Sequence, residues 1–251
     1  MKVSIITATY NSAKYIASSL NSIFNQDYKD IECIIIDGDS KDQTKSIIET
    51  YQIKNLNITL VSEADNGIYD ALNKGIKLAT GDLIGFVHSD DNLASPHIIS
   101  ELVLAIKEKQ AFGIYGDLQY VSQLDTSKLI RDWKSCVFSK SLLKKGWMPP
   151  HPTLFLKKEV YQKHGNFNQN YKISADYDFM LRVLKDKTLK FVYLPHVIIK
   201  MRVGGASNKN LKNIIQKTKE DYRVITSNKI GNWVTLFLKN FNKFKQFNFN
   251  S

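Results

Sequence analysis

The chain has 251 residues, 43% of them hydrophobic, with 35 Lys+Arg against 24 Asp+Glu and two Cys. This excludes a disordered tail, a collagen-like repeat and a disulfide-stapled secreted module, and it suits one domain with a real core. The net charge of +11 is uneven, because residues 1–100 hold 8 basic and 13 acidic side chains and residues 101–251 hold 27 and 11.

The start, MKVSIITATYN, turns polar within a few residues, so no signal peptide is expected there. No run approaches the ~18–20 apolar residues that span a bilayer, and a cytoplasmic protein with reduced thiols is expected. Residues 3–8 (VSIITA) read as a buried strand. Ser12 can cap a helix with Ile16, Leu20, Ile23 and Phe24 on one face. Residues 32–37 (ECIIID) form a second strand, and Ser40 or Asp42 can cap a helix with Ile47, Ile48 and Tyr51 inward. Residues 58–62 make a third strand. Asp65-Asn66-Gly67 turns the chain into a helix marked by Ile68, Leu72, Ile76 and Ala79. Residues 83–88 (LIGFVH) make a fourth strand. Strands separated by such helices predict an α/β fold with a mostly parallel central sheet.

Past residue 110 the rhythm changes. Residues 112–117 and 118–122 read as adjoining strands, and 123–150 as irregular. Strands at 153–157 and 189–194 flank a helix over about 176–186, and 197–203 follows as a strand. A basic helix over roughly 208–227 and an aromatic, basic tail close the chain. The expected division is a 1–207 domain, with halves 1–110 and 111–207, and a helical extension over 208–251.

In open α/β sheets ligands bind beyond the carboxyl ends of the strands. Here those ends read Thr7-Ala8-Thr9-Tyr10-Asn11, Asp37-Gly38-Asp39-Ser40, then Glu63, Asp65, Asn66 and Gly67, and finally His88-Ser89-Asp90-Asp91-Asn92. So many carboxylates on one edge repel unless a positive group sits among them, and a hard divalent cation is the natural candidate. Mg²⁺ or Mn²⁺ on the Asp90-Asp91 pair could in turn bridge a diphosphate. The chain has neither a GxGxxG nor a GxxxxGK[ST] phosphate loop, and its five His and two Cys lack zinc-ligand spacing.

The stretches VSIITATYN, IIIDGDSKDQT and SEADNGIYDALNKGIKLATGDLIGFVHSDDN resemble the inverting family 2 glycosyltransferases of GT-A fold. The likeness is closest to those that build bacterial exopolysaccharide, capsule or O-antigen, and it spans residues 1–92 strongly and thins toward 207. The resemblance implies a GT-A-like fold and transfer of a sugar from a nucleotide sugar, a UDP-sugar above all. Thr9 and Asp37 would contact base and ribose, with Thr7 and Tyr10 on the same strand end and Asp39 close by. Asp65 and Asn73 would line the nucleotide site. Asp91 would be the metal ligand, with Asp90 nearer the ribose or donor sugar. SADYDFMLR (174–182) resembles the segment carrying the family's catalytic base. Ala175 stands where a Glu is usual, and Asp176 keeps the Asp. His151 in HPTLF resembles an acceptor-side or diphosphate contact, and Arg202 begins RVGGAS, similar to a loop that closes over the diphosphate.

Each assignment has a plainer rival. Asp178 could replace Asp176 as the important carboxylate, or either could pair with Arg182. His151 could satisfy a loop, Tyr69 could be packing and Asp39 a cap. His88, His97, His164 and His196 read as structural. In the basic tail, Trp233, Phe237, Phe241 and Phe244 recur at helical spacing with Lys239, Lys243 and Lys245 beside them. That composition suits an anionic membrane interface, or a helix packed on the domain with its lysines in water. No nucleic-acid motif accompanies the charge. The resemblance adds a polyprenyl-diphosphate-linked or oligosaccharide acceptor, on the inner face of the cytoplasmic membrane. The rivals are a non-catalytic binding subunit and a nucleotidyltransferase.

Overall fold

Runs rich in Ile and Val become three parallel strands, β1 (Val3–Thr9), β2 (Ile31–Asp37) and β3 (Ile58–Ser62). The computed structural model describes residues 1–54, 57–204 and 211–245. Helices α1 (Ile16–Phe24), α2 (Thr44–Lys54) and α3 (Ile68–Leu78) carry the crossovers, and β4 (Leu83–Phe86) lies parallel to β1 on its other side. The register sets Thr9 beside Asp37 and Asp37 beside Ser62, so three strand ends stop level at one edge.

Alternate strand residues enter two cores, as a sheet covered on both faces requires. Ile6, Ile34, Ile36, Ile84 and Phe86 pack with Leu72 and Ile76 of α3. Val3, Ile5, Cys33, Ile35 and Leu83 pack with Ile16, Leu20 and Ile23 of α1 on the opposite face. Each such fully buried side chain contributes about 1.5–3 kcal/mol. Asp42 rather than Ser40 caps α2, its Oδ1 accepting the Thr44 N–H at 2.9 Å. Ser12 does not cap α1, whose N-cap position is Tyr15. The Ser12 hydroxyl instead lies 2.9 Å from that of Ser89.

The fourth strand is shorter than expected. It breaks after Phe86, and Asp91–Leu93 form a separate strand, β5. Then come α4 (Ile98–Lys109), β6 (Gly113–Val121), β7 (Leu129–Trp133) and α5 (Lys140–Lys144). A short 3₁₀ turn (His151–Thr153) leads to β8 (Phe155–Lys157), α6 (Lys158–His164), α7 (Ala175–Leu184) and β9 (Phe191–Arg202). The sheet runs β3-β2-β1-β4-β8-β6-β9-β5, with β7 on β6. Antiparallel β8 joins the regular first half to a second half of mixed direction.

Two pairs of expected strands are single strands. Residues 113–121 run straight through Gly116, and 191–202 run through Pro195, where the β6–β9 register slips. A proline in a ladder is tolerated at such an irregularity. The segment 123–150 contains β7 and α5. Helices α4 and α6 were not anticipated.

Helix α8 (Leu211–Ser227) packs on α7, and α9 (Trp233–Lys245) packs on α8. Gly146, at φ +71°, permits close approach of α9, since a Cβ there would lie 2.8 Å from Lys239 Cα. Helix α9 packs on the domain, as one reading of the tail expects, but Lys239 departs from the expectation of lysines in water. It reaches neither water nor membrane but turns inward, 2.7 Å from Asp221 and over the Tyr177 ring. Trp233 (68% exposed), Phe237 (62%) and Phe241 (46%) do face outward. The side chains of Lys243, Phe244 and Lys245, and the expected loop and boundary at 205–208, lie outside the described residues. Among the described residues no helix is long and apolar enough to cross a membrane.

Candidate active site

The ends of β1, β2 and β3 make one side of the site. Asp37 is fully buried and accepts the Ser40 N–H (3.0 Å), the Ser40 hydroxyl (2.5 Å) and the Ser62 hydroxyl (2.8 Å). Its carboxylate is therefore fixed before any ligand arrives. The next residue is Gly38, where a Cβ would meet Asp65 Oδ2 at 2.8 Å and the Tyr10 ring at 3.4 Å. A side chain at 38 would push the Asp65 carboxylate away from this edge. Tyr10 is 62% exposed and presents a flat ring to solvent. Thr9 is buried with its hydroxyl unpartnered. Asp65 is turned by its bond from the Gly67 N–H at 2.8 Å.

Three expected nucleotide contacts stand elsewhere. Thr7 is fully buried and donates to the Val87 carbonyl at 2.8 Å, which ties β1 to the end of β4. Asp39, in a left-handed conformation (φ 61°), pairs outward with Lys41 at 2.5 Å. Asn73 is 7% exposed and exchanges two hydrogen bonds with the Phe167 backbone, at 2.9 and 3.0 Å. Its amide braces α3 against the second half.

The carboxylate pair after β4 stands at two depths. Asp91, the expected metal ligand, is 1% exposed and both of its oxygens are enclosed without a hydrogen-bond partner. Burial, reinforced by the Asp90 charge, raises its carboxyl well above the ordinary range, and Arg202 opposes that only in part. Asp90 is the partly exposed member of the pair. Arg202 is spent on the fold: it donates to the Asp90 carbonyl (2.7 Å), Asn92 Oδ1 (2.9 Å) and the Ser18 hydroxyl (3.1 Å), and it stacks on Tyr15. It clamps the acidic turn.

Across the cleft, Asp176 sits in the first turn of α7. Its Oδ1 accepts the Tyr177 N–H at 2.8 Å and lies 3.2 Å from the Tyr69 hydroxyl, which donates to the Ile173 carbonyl at 2.6 Å. So the α3 face carrying Tyr69 and Asn73 meets the 167–176 segment. Ala175 is fully buried, and a Glu there would have to bury its charge. Asp178 is excluded as a base, because Arg182 (2.8 Å) and Asn228 (3.0 Å) hold it inside.

Two histidines complete this side. His151 stacks on Phe86 with ring centroids 5.3 Å apart and meets Phe167 edge-on at 5.5 Å. Burial lowers its pKa. Burial first, then the neighbouring His151, pushes His88 down to about 4, and the Asp90 and Asp176 charges pull the other way. His88, read as structural in the sequence, thus stands within electrostatic reach of His151, Asp90 and Asp176. The signal for it was its place at the head of His-Ser-Asp-Asp. Glu220 and Asp221, which hold the segment before Asp176, were also missed. They are the two acids among nine basic residues in 209–251.

Among the described residues no three His, Cys, Asp or Glu side chains form a ready metal cage. The adjacent Asp90 and Asp91 carboxylates, with the orphaned oxygens of Asp91, fit a hard cation that takes one or two carboxylates and completes its shell with phosphate oxygens and water.

A mixed α/β sheet that gathers Thr9, Asp37 and Asp65 at its strand ends, with Asp90 and Asp91 in the turn after β4, is the arrangement of a GT-A fold. The chain belongs to Glycosyl transferase family 2, whose description matches residues 4–181, and it is a glycosyltransferase. It is 30% identical over 210 residues to a PGL/p-HBAD biosynthesis glycosyltransferase of Mycobacterium tuberculosis, covering 82% of this chain and 78% of that one. An uncharacterized glycosyltransferase of Haemophilus influenzae is 28% identical over 249 residues, covering 91% and 75%. The fold matches S. aureus TarS 1–349 in complex with UDP-GlcNAc at a TM-score of 0.70 and 20% identity, over 91% of this chain and 65% of that one. It also matches the mannosyltransferase PcManGT of Pyrobaculum calidifontis, in complex with GDP-Man and Mn²⁺, at 0.66 and 18%, over 90% and 63%. The chain therefore spans just under two thirds of each of those two structures.

Proposed function

We propose that the chain moves one sugar from a UDP-sugar to a hydroxyl of a lipid-linked or growing glycan, inverting the anomeric centre in a single displacement. What supports this is that Tyr69 of α3 hydrogen-bonds Asp176 at 3.2 Å and that His88 lies within electrostatic reach of both Asp90 and Asp176. The acceptor oxygen attacks the anomeric carbon, the bond from that carbon to the diphosphate oxygen breaks, and the hydroxyl proton passes to Asp176. The Tyr69 hydroxyl, 3.2 Å away, steadies that carboxylate. Thr9, Tyr10, Asp37 and Asp65 hold the nucleoside and fix the donor for in-line attack. His88 and His151, kept neutral by burial, offer hydrogen bonds to the diphosphate side without a fixed charge. Asp90, with Asp91 behind it, would hold Mn²⁺ or Mg²⁺, which supplies neutralisation of the leaving diphosphate.

The outward Trp233, Phe237 and Phe241 on α9 support an acceptor met at an anionic membrane face. Exposed Lys140 and Lys144 on α5 lie shortly before Gly146, where α9 docks, and each could add about 1 kcal/mol at such a surface. Sedimentation with phosphatidylserine vesicles, lost in Trp233→Glu/Phe237→Glu, tests this part.

Thermal unfolding with UDP and GDP, each with and without Mn²⁺, tests the donor site, since a ligand of the native state raises the transition. The expected result is a Mn²⁺-dependent shift with UDP that disappears in Asp90→Ala. A shift that persists in Asp90→Ala, or none with either nucleotide, overturns the assignment.

A further inference from the structure

The segment that leads into α7 is held from another helix. Ser174 occupies the N-cap position but makes no side-chain cap, because its hydroxyl donates to Asp221 Oδ1 at 2.7 Å. The backbone donors of the segment that leads into α7, rather than those of its first turn, are taken by Glu220 of α8. Its Oε1 accepts the Lys172 N–H at 3.1 Å, and its Oε2 accepts the Ile173 N–H at 2.8 Å and the Ser174 N–H at 3.0 Å. Three successive backbone donors thus converge on one carboxylate, 46–48 residues away in sequence. Gln216 orients it with a bond of 3.0 Å.

The support continues outward. Asp221 is 1% exposed and lies 3.1 Å from Lys217 Nζ and 2.7 Å from Lys239 Nζ, which α9 brings in. Burial works against both acids. Backbone donors and Gln216 nevertheless hold Glu220 below its ordinary value, and the two lysines do the same for Asp221. On the opposite side the Tyr69 hydroxyl takes the Ile173 carbonyl. Residues 172–174 are gripped from α8 and α3 at once, and Asp176 follows two residues later.

We propose that Glu220 is a positioning residue for the Asp176 base, with Asp221 and Lys239 as its support, so that α8 and α9 form part of the catalytic apparatus. This rests on the reading of Asp176 as base. Glu220 touches neither donor nor acceptor. It sets where the base stands, and displacement of a reacting group by an ångström can cost as much as a hundredfold in rate.

The test compares wild type with Glu220→Gln, which keeps the side-chain shape and removes its charge and one acceptor. Nucleoside diphosphate release from UDP-N-acetylglucosamine and from GDP-mannose with Mn²⁺ gives kcat and KM. Amide hydrogen exchange reports residues 172–176. The expected result is a kcat lower by about tenfold or more, donor KM and UDP affinity within about twofold, and faster exchange at 172–174. Ser174→Ala, which deletes only the bond to Asp221, should show the same split more weakly, and it stands in if Glu220→Gln does not fold. Unchanged kcat and unchanged exchange in a folded variant overturn the proposal, as does an equal loss of donor binding. If wild type turns over neither donor, the exchange result decides, and unchanged protection of 172–174 in a folded Glu220→Gln overturns the proposal.

Discussion

The two sides of the cleft are held in opposite ways. Asp37 takes its bonds from Ser40, three residues on, and from Ser62 on the neighbouring strand. Asp176 is steadied by Tyr69, 107 residues away, and its segment by Glu220 from beyond the last strand. The nucleotide side is built from consecutive βα units and is local. The base side is assembled from α3, α7, α8 and α9 and is not. A local site loses binding and local stability together when it is altered. A site assembled at long range can lose rate while binding stands.

The sharpest separation should come from Asp176→Asn. Loss of a general base predicts a fall in turnover of about 10²–10⁴-fold, with the UDP-induced thermal shift intact. A lost shift would mean that the two sides are not independent. Asp37→Ala should do the reverse. It strips the acceptor from three donors and costs about 3 kcal/mol of stability in urea unfolding, and UDP binding goes with it. Asn73→Ala should cost less, about 1–2 kcal/mol, and leave UDP affinity unchanged in titration calorimetry, because its amide serves Phe167. The smallest effect belongs to Glu32, far from the cleft. Burial opposes its charge, yet Lys2, Ser4 and Thr80 hold it at about 2, below its ordinary 4.5. Its contribution is complete above the ordinary value and fades as pH falls from about 4.5 toward 2. Glu32→Gln should therefore flatten the acid dependence of unfolding in that window and nowhere else.

The same contrast explains what the sequence disclosed. Thr9, Asp37, Asp65 and Asp90 follow apolar strands directly, so the periodicity that predicts each strand also locates its end. Thr7 and Asn73 carried no mark of burial, since a polar residue bonded inside is spelled like one that meets a ligand. Asp90 and Asp91 stand at different depths because β4 stops at Phe86 and the chain turns before β5, which a run such as LIGFVHSDDN does not show. The helices α4 and α6 were legible in principle: Ile98, Leu102 and Ile106 recur every four residues. Lys239 was not, because a buried lysine in a basic tail is visible only once Asp221 and Tyr177 are seen around it.

The hold of Glu220 on residues 172–174 also gives the protein an order of completion. During synthesis the strands, the nucleotide-side residues and Asp176 itself leave the ribosome first, and domains begin to fold as they emerge. The three amides before Asp176 then wait for a carboxylate made more than forty residues later. A nascent chain halted between them would already have its donor edge in place, yet it would carry a base without its final bearing.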